Sequence, residues 1–268
     1  MRKHLIIILI STFLLSCSKD YPDSPEKENP NSNVFFYGAD LSYVNEMEEC
    51  GAVYKDFNDN DNDPYKIFAE AGTNLVRIRL WHNPTWTNYS NINDVKKSIQ
   101  RAKSEGIQVL LDFHYSDTWA DPSSQEIPSA WLGQINNTNV LGDLLYNYTF
   151  DTLNDLANSD LLPDIVQLGN EINAMILQKG EVKWPIDWIR NSSLINKGIK
   201  AVRDVASLKN KKIDIMLHIA QPENGLWWFE QANAAGVTDY DWIGLSYYPL
   251  WSEYDLNSIN APIKTLIE

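Results

Sequence analysis

The chain has 268 residues, of which 44% are hydrophobic, 12% aromatic and 22% charged, a balance that can bury a sizeable core and that excludes a disordered chain or a small disulfide-stapled domain. Lys and Arg number 22 against 36 Asp and Glu, a formal charge of -14, so the surface repels phosphate backbones and anionic lipids, and nucleic acid is not an expected partner. There are 10 Trp and 13 Tyr. A buried indole N–H needs a partner, so some of these rings are expected to line a binding cleft.

Arg2 and Lys3 precede an apolar run over residues 5–15 that is too short to span a membrane and has the pattern of a secretory signal peptide. It ends in Leu14-Leu15-Ser16-Cys17, which resembles the lipobox of bacterial lipoproteins and implies cleavage before Cys17 and lipidation of its thiol. Residues 18–33 are rich in Pro, Asp, Glu, Ser and Asn, the composition of an extended tether. The expected organisation is a signal peptide at 1–16, a lipidated Cys and tether at 17–33, and the N-terminal three-quarters of a barrel domain at 34–268. The expected location is the bacterial cell envelope, at the outer membrane or cell surface, with the lipid as the sole membrane contact and the protein a monomer. Cys50 is left without a disulfide partner and is expected as a buried free thiol.

From residue 34 onward, short β-rich runs alternate with helical patterns. Strands are expected at 35–42, 75–81, 107–114, 165–169, 213–218 and 242–247. Helices are expected at 65–71, 95–104, 141–157, 189–206 and 226–235, with a last helical start at 256–267. Runs such as Val109-Leu110-Leu111-Asp112-Phe113 lack strict alternation, as in parallel strands covered on both faces. Polar residues gather at or just past the strand ends, among them Asp40, Ser42, Arg79, His82, Asp112, His114, Asn170, Glu171, His218, Ser246 and Tyr247. That is the layout of a (β/α)8 barrel and of open doubly wound sheets. No glycine-rich phosphate loop follows a strand, which favours the barrel. The expected fold is therefore α/β, a (β/α)8 barrel in which strands one to six are present and strands seven and eight are missing.

The fourth strand runs into Asn170-Glu171. A Glu at a barrel strand end can hold a proton near neutral pH, and the Asn before it can bind a sugar 2-hydroxyl, which is the pairing a glycosidase needs. By itself such a dipeptide is ordinarily a helix cap; its place after a buried strand changes that reading.

Five stretches carry a resemblance: GADLS (38–42), GTNLVRIRLW (72–81) with Pro84, DFHYSDTWADP (112–122), GNE (169–171) and GLSYYPLW (244–251). The chain resembles family 53 of the glycoside hydrolases, the endo-β-1,4-galactanases. The resemblance implies a retaining hydrolase of β-1,4-galactan, the arabinogalactan side chain of pectin, with Glu171 as general acid/base. Retention requires a second carboxylate about 5–5.5 Å away. In the family that Glu ends strand seven, so the nucleophile is expected to be absent from this chain; neither Glu253 nor Glu268 sits in the family motif. Asp40, Arg79, His114, Asp117, Trp119, Asn170, His218, Tyr247 and Trp251 are the candidate substrate-binding residues. Arg79 is preferred over Arg77 as the group that orients a catalytic carboxylate because it lies nearer the strand end, and Tyr247 is expected to hydrogen-bond the nucleophile.

No residues have zinc spacing, and no cofactor or metal is expected. Asp59, Asp61, Asp63 and Glu70 mimic an EF-hand loop, but Pro64 stands where the sharp turn needs Gly, so a solvated turn with Asp63 as helix N-cap is expected. Calcium sites of some family members lie in later loops that this chain lacks. Two other readings remain: a mannanase or cellulase on the same barrel, and a non-catalytic sugar-binding surface lipoprotein. The anchor is tested by metabolic labelling with a fatty acid, which should mark the wild type and not Cys17→Ala; equal labelling of both removes the lipoprotein reading.

Overall fold

Each strand of the sheet hydrogen-bonds the one that follows it in sequence. In the computed structural model, which describes residues 35–267, the strands are β1 (Gly38–Asp40), β2 (Leu75–Leu80), β3 (Gln108–Phe113), β4 (Ile165–Leu168), β5 (Asp214–Ala220) and β6 (Trp242–Ser246). All neighbours are parallel, in the order β1-β2-β3-β4-β5-β6. The helices are α1 (Val44–Glu49), α2 (Pro64–Glu70), α3 (Ile92–Ser104), α4 (Thr138–Asn158), α5 (Trp188–Lys209), α6 (Pro222–Ala234) and α7 (Asn260–Ile267), with a 3-10 helix at Ser129–Gln134. The expected signal peptide, Cys17 and the tether lie outside the described residues.

The sheet curls. Phe36, just before β1, meets Trp242 of β6 edge to face with ring centroids 5.5 Å apart, although β1 and β6 are its opposite edges. These are six successive strands of a (β/α)8 barrel, as expected. Strand one is shorter than expected, and α1 and the 3-10 helix were not foreseen.

The strands alternate more strictly than their apolar runs suggest. Val76, Ile78 and Leu80 of β2, Val109, Leu111 and Phe113 of β3, Val166 and Leu168 of β4, and Ile215, Leu217 and Ile219 of β5 are all buried in one apolar core. This outer face packs against α3, α5 and α6. The intervening residues point inward, and there the upper positions are Arg77, Arg79, Asp112, Gln167 and His218 rather than aliphatic chains. The two-faced apolar expectation therefore holds only for the lower inner positions, such as Leu110 and Ile165, both buried.

Caps fix several helix starts. Asn91 Oδ1 accepts from the N–H groups of Asn93 (2.9 Å) and Asp94 (3.2 Å) at α3, and Asp187 Oδ1 accepts from Arg190 N (3.1 Å) at α5; each such cap contributes about 1 kcal/mol. Asp63 caps α2 as expected, accepting from Tyr65 N at 2.8 Å with Pro64 in the first helical turn. The acidic stretch before it closes on itself: Asp56 Oδ1 accepts from Asn58 N and Asn60 N. Among the described residues no three His, Cys, Asp or Glu side chains are grouped to hold a metal ion, and no helix is long and apolar enough to cross a membrane. Cys50 is exposed, not buried: it closes α1, a helix of 6 residues whose buried positions are Val44 and Asn45 near its start.

At the end of β4 the backbone turns sharply. Gly169 has φ +84, and a Cβ there would stand 2.5 Å from Ile172 Cγ2. Gly169→Ala is therefore expected to lower the unfolding free energy by about 1–3 kcal/mol. A shift in the denaturant midpoint equivalent to less than about 0.5 kcal/mol would show that the turn accommodates a side chain.

Candidate active site

Arg77 sits at the centre of the inner face. Its Nη1 donates to Asp40 Oδ2 (2.7 Å), its Nη2 to Asp112 Oδ2 (2.5 Å) and Asn170 Oδ1 (2.7 Å), and its Nε to Gln167 Oε1 (3.1 Å). Asp112 is fully buried. Burial alone would raise its carboxyl pKa, but the Arg77 charge, with His114 adding to it, holds it below the usual carboxylate range. Gln167 Nε2 donates to Asp112 Oδ1 (2.7 Å) and to Gly169 O (2.9 Å). One buried network thus ties the upper ends of β1 to β4 together.

Above it opens a cleft of about 600 Å³ lined by Asp40, Tyr43, Arg77, Arg79, Trp119, Ala120, Asp121, Asn170, Glu171, His218, Ser246 and Tyr248. Asn170 is fixed from both ends, since its Oδ1 accepts from Arg77 and its Nδ2 donates to Ala120 O at 2.7 Å. Glu171 is 9% exposed and has φ 48, a left-handed backbone that is costly for a residue with a Cβ. Gln125, buried in the loop after β3, braces it by donating to the carbonyls of Asn170 (3.0 Å) and Glu171 (3.3 Å). Burial pushes the Glu171 carboxyl up, and the Asp121 charge adds to this; the Ser246 hydroxyl and the Arg77 charge oppose it without cancelling it.

Of the residues expected to touch substrate, Asp40, Arg79, Trp119, Asn170 and His218 line this cleft with Glu171, and His114, Asp117, Tyr247 and Trp251 do not. His114 lies beneath it: Nδ1 accepts from Trp81 Nε1 (3.3 Å) and Ala120 N (3.2 Å), which leaves the proton on Nε2, 3.0 Å from Asp112 Oδ2. Asp117 is a staple between loops, accepting from Asn83 N (3.0 Å), Ser129 N (2.8 Å) and Ser129 Oγ (2.7 Å). Burial would raise its pKa, and those bonds with the nearby His82 bring it below the ordinary value. Tyr247 donates to Tyr254 O at 3.0 Å. Trp251 is exposed and packs on Tyr248, which does line the cleft.

Among the described residues Arg77, not Arg79, makes the carboxylate contacts, with Asp40 and Asp112. Arg79 is 3% exposed, with its guanidinium carbon 4.6, 4.4 and 4.2 Å from the ring centroids of Tyr43, Trp81 and Trp119. It donates to Ser90 Oγ at 2.9 Å. Enclosed this way, it shapes an aromatic wall, while the residue two positions earlier makes the carboxylate contacts. Tyr43, Asp121 and Tyr248 were not singled out from the sequence, although each adjoins or falls within a resembling stretch; Gln125 falls in none and carries no sequence signal.

Removing one partner of a buried pair typically costs about 3–5 kcal/mol, so Arg77→Met should destabilise by that order. Without the guanidinium, burial raises the folded-state pKa of Asp112 above its unfolded value, and protonation then favours the folded variant. The deficit relative to wild type should therefore shrink as pH falls through that raised pKa. A deficit that is constant from neutral to acid pH, in denaturant titrations, would show that Asp112 is not what Arg77 supports.

The family model for glycosyl hydrolase family 53 matches residues 36–268. The chain is 55% identical over 238 residues to an arabinogalactan endo-β-1,4-galactanase of Cellvibrio japonicus, an alignment covering 88% of this chain and 63% of that protein. It is 35% identical to an enzyme of the same name from Humicola insolens, covering 87% of this chain and 70% of that one. Among solved structures, a fungal β-1,4-galactanase superposes with a TM-score of 0.78 at 34% identity, covering 87% of this chain and 70% of that one. The family 53 catalytic domain of Ignisphaera aggregans superposes with a TM-score of 0.77 at 31% identity, covering 89% and 67%. The chain thus spans just under two thirds of the Cellvibrio relative's length, and it belongs to glycosyl hydrolase family 53.

Proposed function

We propose that the protein hydrolyses β-1,4-galactan internally and with retention of configuration, with Glu171 as the general acid/base. The observation that carries this is the Asn170-Glu171 pair at the end of β4, where burial raises the pKa of a carboxyl that opens into the cleft. Two relatives that share this chain's family bear the galactanase name.

In the first step Glu171 gives its proton to the departing glycosidic oxygen. In the second, as a carboxylate, it takes a proton from the attacking water. The raised pKa keeps the acid form populated to higher pH than an ordinary Glu would, and the first step slows as pH rises through that value. Asn170 has one N–H committed to Ala120 O, which leaves the other for the sugar 2-hydroxyl. Trp119 and Tyr43, which line one side, offer faces on which a sugar ring stacks.

The other carboxylates of the cleft are already engaged: Asp40 pairs with Arg77, and Asp121 accepts from Ser123 N (2.7 Å) and Ser123 Oγ (2.6 Å). We assign the nucleophile to neither. The same reading includes a lipid anchor at Cys17, a place in the bacterial envelope at the outer membrane or cell surface, a monomeric state and no cofactor.

The complete protein should cleave β-1,4-galactan internally and leave mannan and cellulose untouched; faster turnover of mannan than of galactan would overturn the substrate assignment. Glu171→Gln keeps the shape and removes the transferable proton, and should lower galactan turnover by about 10²–10⁴-fold. Activity within about threefold of wild type, well under the tenfold that 1.4 kcal/mol represents, would place the proton donor elsewhere.

A further inference from the structure

The start of α6 holds the loop that follows β6. Gln221, between β5 and α6, has φ 65, a left-handed backbone that is costly for a residue with a Cβ. It is pinned there: its N–H donates to Ser246 O at 2.8 Å and its carbonyl accepts from Asn224 N at 3.1 Å. The residue before it is held too, since Ala220 N donates to Asn173 Oδ1 (2.7 Å) and Ala220 O accepts from Asn173 Nδ2 (2.8 Å). From this fixed corner Gln221 Oε1 accepts from Tyr248 N at 3.3 Å. Glu223, in the first turn of α6, accepts from Ser252 Oγ at 2.9 Å and from Glu253 N at 3.2 Å.

Between these anchors the loop turns back on itself, with Trp251 N and Ser252 N both donating to Tyr248 O at 2.9 and 3.0 Å. The turn carries Tyr248 and Trp251, which are 46% and 69% exposed, with ring centroids 5.3 Å apart. A loop that orders itself by burying its aromatic rings leaves them covered. Here polar bonds to α6 and within the turn supply the order, and the rings stand open beside the cleft that Tyr248 lines. Open aromatic rings on a fixed loop at the edge of a sugar cleft suit the apolar face of a pyranose, which stacks on them while its hydroxyls stay in water.

We propose that Gln221 and Glu223 are positioning residues that hold Tyr248 and Trp251 as a second sugar-stacking wall, which takes a galactosyl unit of the same chain next to those bound in the cleft. This rests on the reading of the cleft as a galactan site and extends it past the reacting bond. Tyr43 and Trp119 stand after β1 and β3, whereas this pair stands after β6, so the two aromatic walls belong to separate sectors of the barrel mouth. A chain gripped in two sectors is cut within its length rather than at its end, as internal cleavage needs. Neither Gln221 nor Glu223 lines the cleft, so their contribution passes through the loop they anchor.

The test uses the complete protein. Glu223→Ala removes both acceptors from the loop and should raise KM for galactan by about threefold to tenfold, the range of one aromatic contact, while kcat changes little. Glu223→Gln can still accept from Glu253 N and donate to Ser252 Oγ, so it should restore KM, which separates the bonds from the charge. Trp251→Ala should raise KM by a similar factor with α6 untouched, and combining it with Glu223→Ala should add little. In nitrogen NMR of the slow variant Glu171→Gln, the Trp251 indole signal should move when β-1,4-galactotetraose is added.

An unchanged KM in Trp251→Ala, a fall in kcat at constant KM in Glu223→Ala, or a Glu223→Gln variant no better than Glu223→Ala overturns the proposal. So does an indole signal that the tetrasaccharide leaves in place. Absence of galactan cleavage by the wild type would instead overturn the proposed function, and the indole titration, which needs no turnover, would still decide whether the second wall binds the sugar.

Discussion

A carboxylate with no exposure to solvent must be paired, and in this molecule Asp112 is paired with Arg77. That requirement organises the upper inner face. Once Arg77 is drawn toward Asp112, its remaining donors reach Asp40 on β1, Gln167 on β4 and Asn170 just beyond β4. The orientation of Asn170 follows from the same guanidinium that neutralises Asp112. The strained backbone of Glu171 is carried by what surrounds it, through Gln125 on one side and His218 on the other.

Two carboxyl groups a short way apart are driven in opposite directions. Asp112 is kept ionised because a cation outweighs its burial. Glu171 is kept closer to its acid form because burial outweighs the groups that oppose it. Divergent environments for neighbouring carboxyls are how one fold separates an electrostatic support from a proton carrier. The aromatic wall is a different kind of element. Arg79 is held among Tyr43, Trp81 and Trp119, so its charge gives the rings a rigid mount and keeps Trp119 at the cleft edge.

The strands were legible because their outer faces are continuous aliphatic sets, and Glu171 was legible because a Glu after a buried strand has few structural reasons to be there. The division of labour between Arg77 and Arg79 was not. Strand periodicity puts both on the same face, and only the position of Ser90 and the three rings decides which guanidinium is enclosed. Asp117 and His114 read as site residues since they lie near the strand end, yet their bonds run downward and sideways into loops and core. Cys50 was misplaced by a general tendency of free thiols to be buried, which a short surface helix does not satisfy. The helix α1 itself has no side-chain cap and only 6 residues, too little for a periodic signal.

The strand order has a consequence for how the chain reaches this state. Every strand pairs with its immediate predecessor in sequence, so the sheet can be extended locally, strand by strand, as the chain is synthesised. The polar network does not share that locality. Arg77 joins residues from position 40 to position 170, and His218 of β5 meets the Ser246 hydroxyl only when β6 arrives. Until β4 has docked, Asp112 and Arg77 lack Gln167 and Asn170. The apolar outer layer can therefore assemble progressively, while the polar network of the inner face is completed late, after most of the described chain is in place.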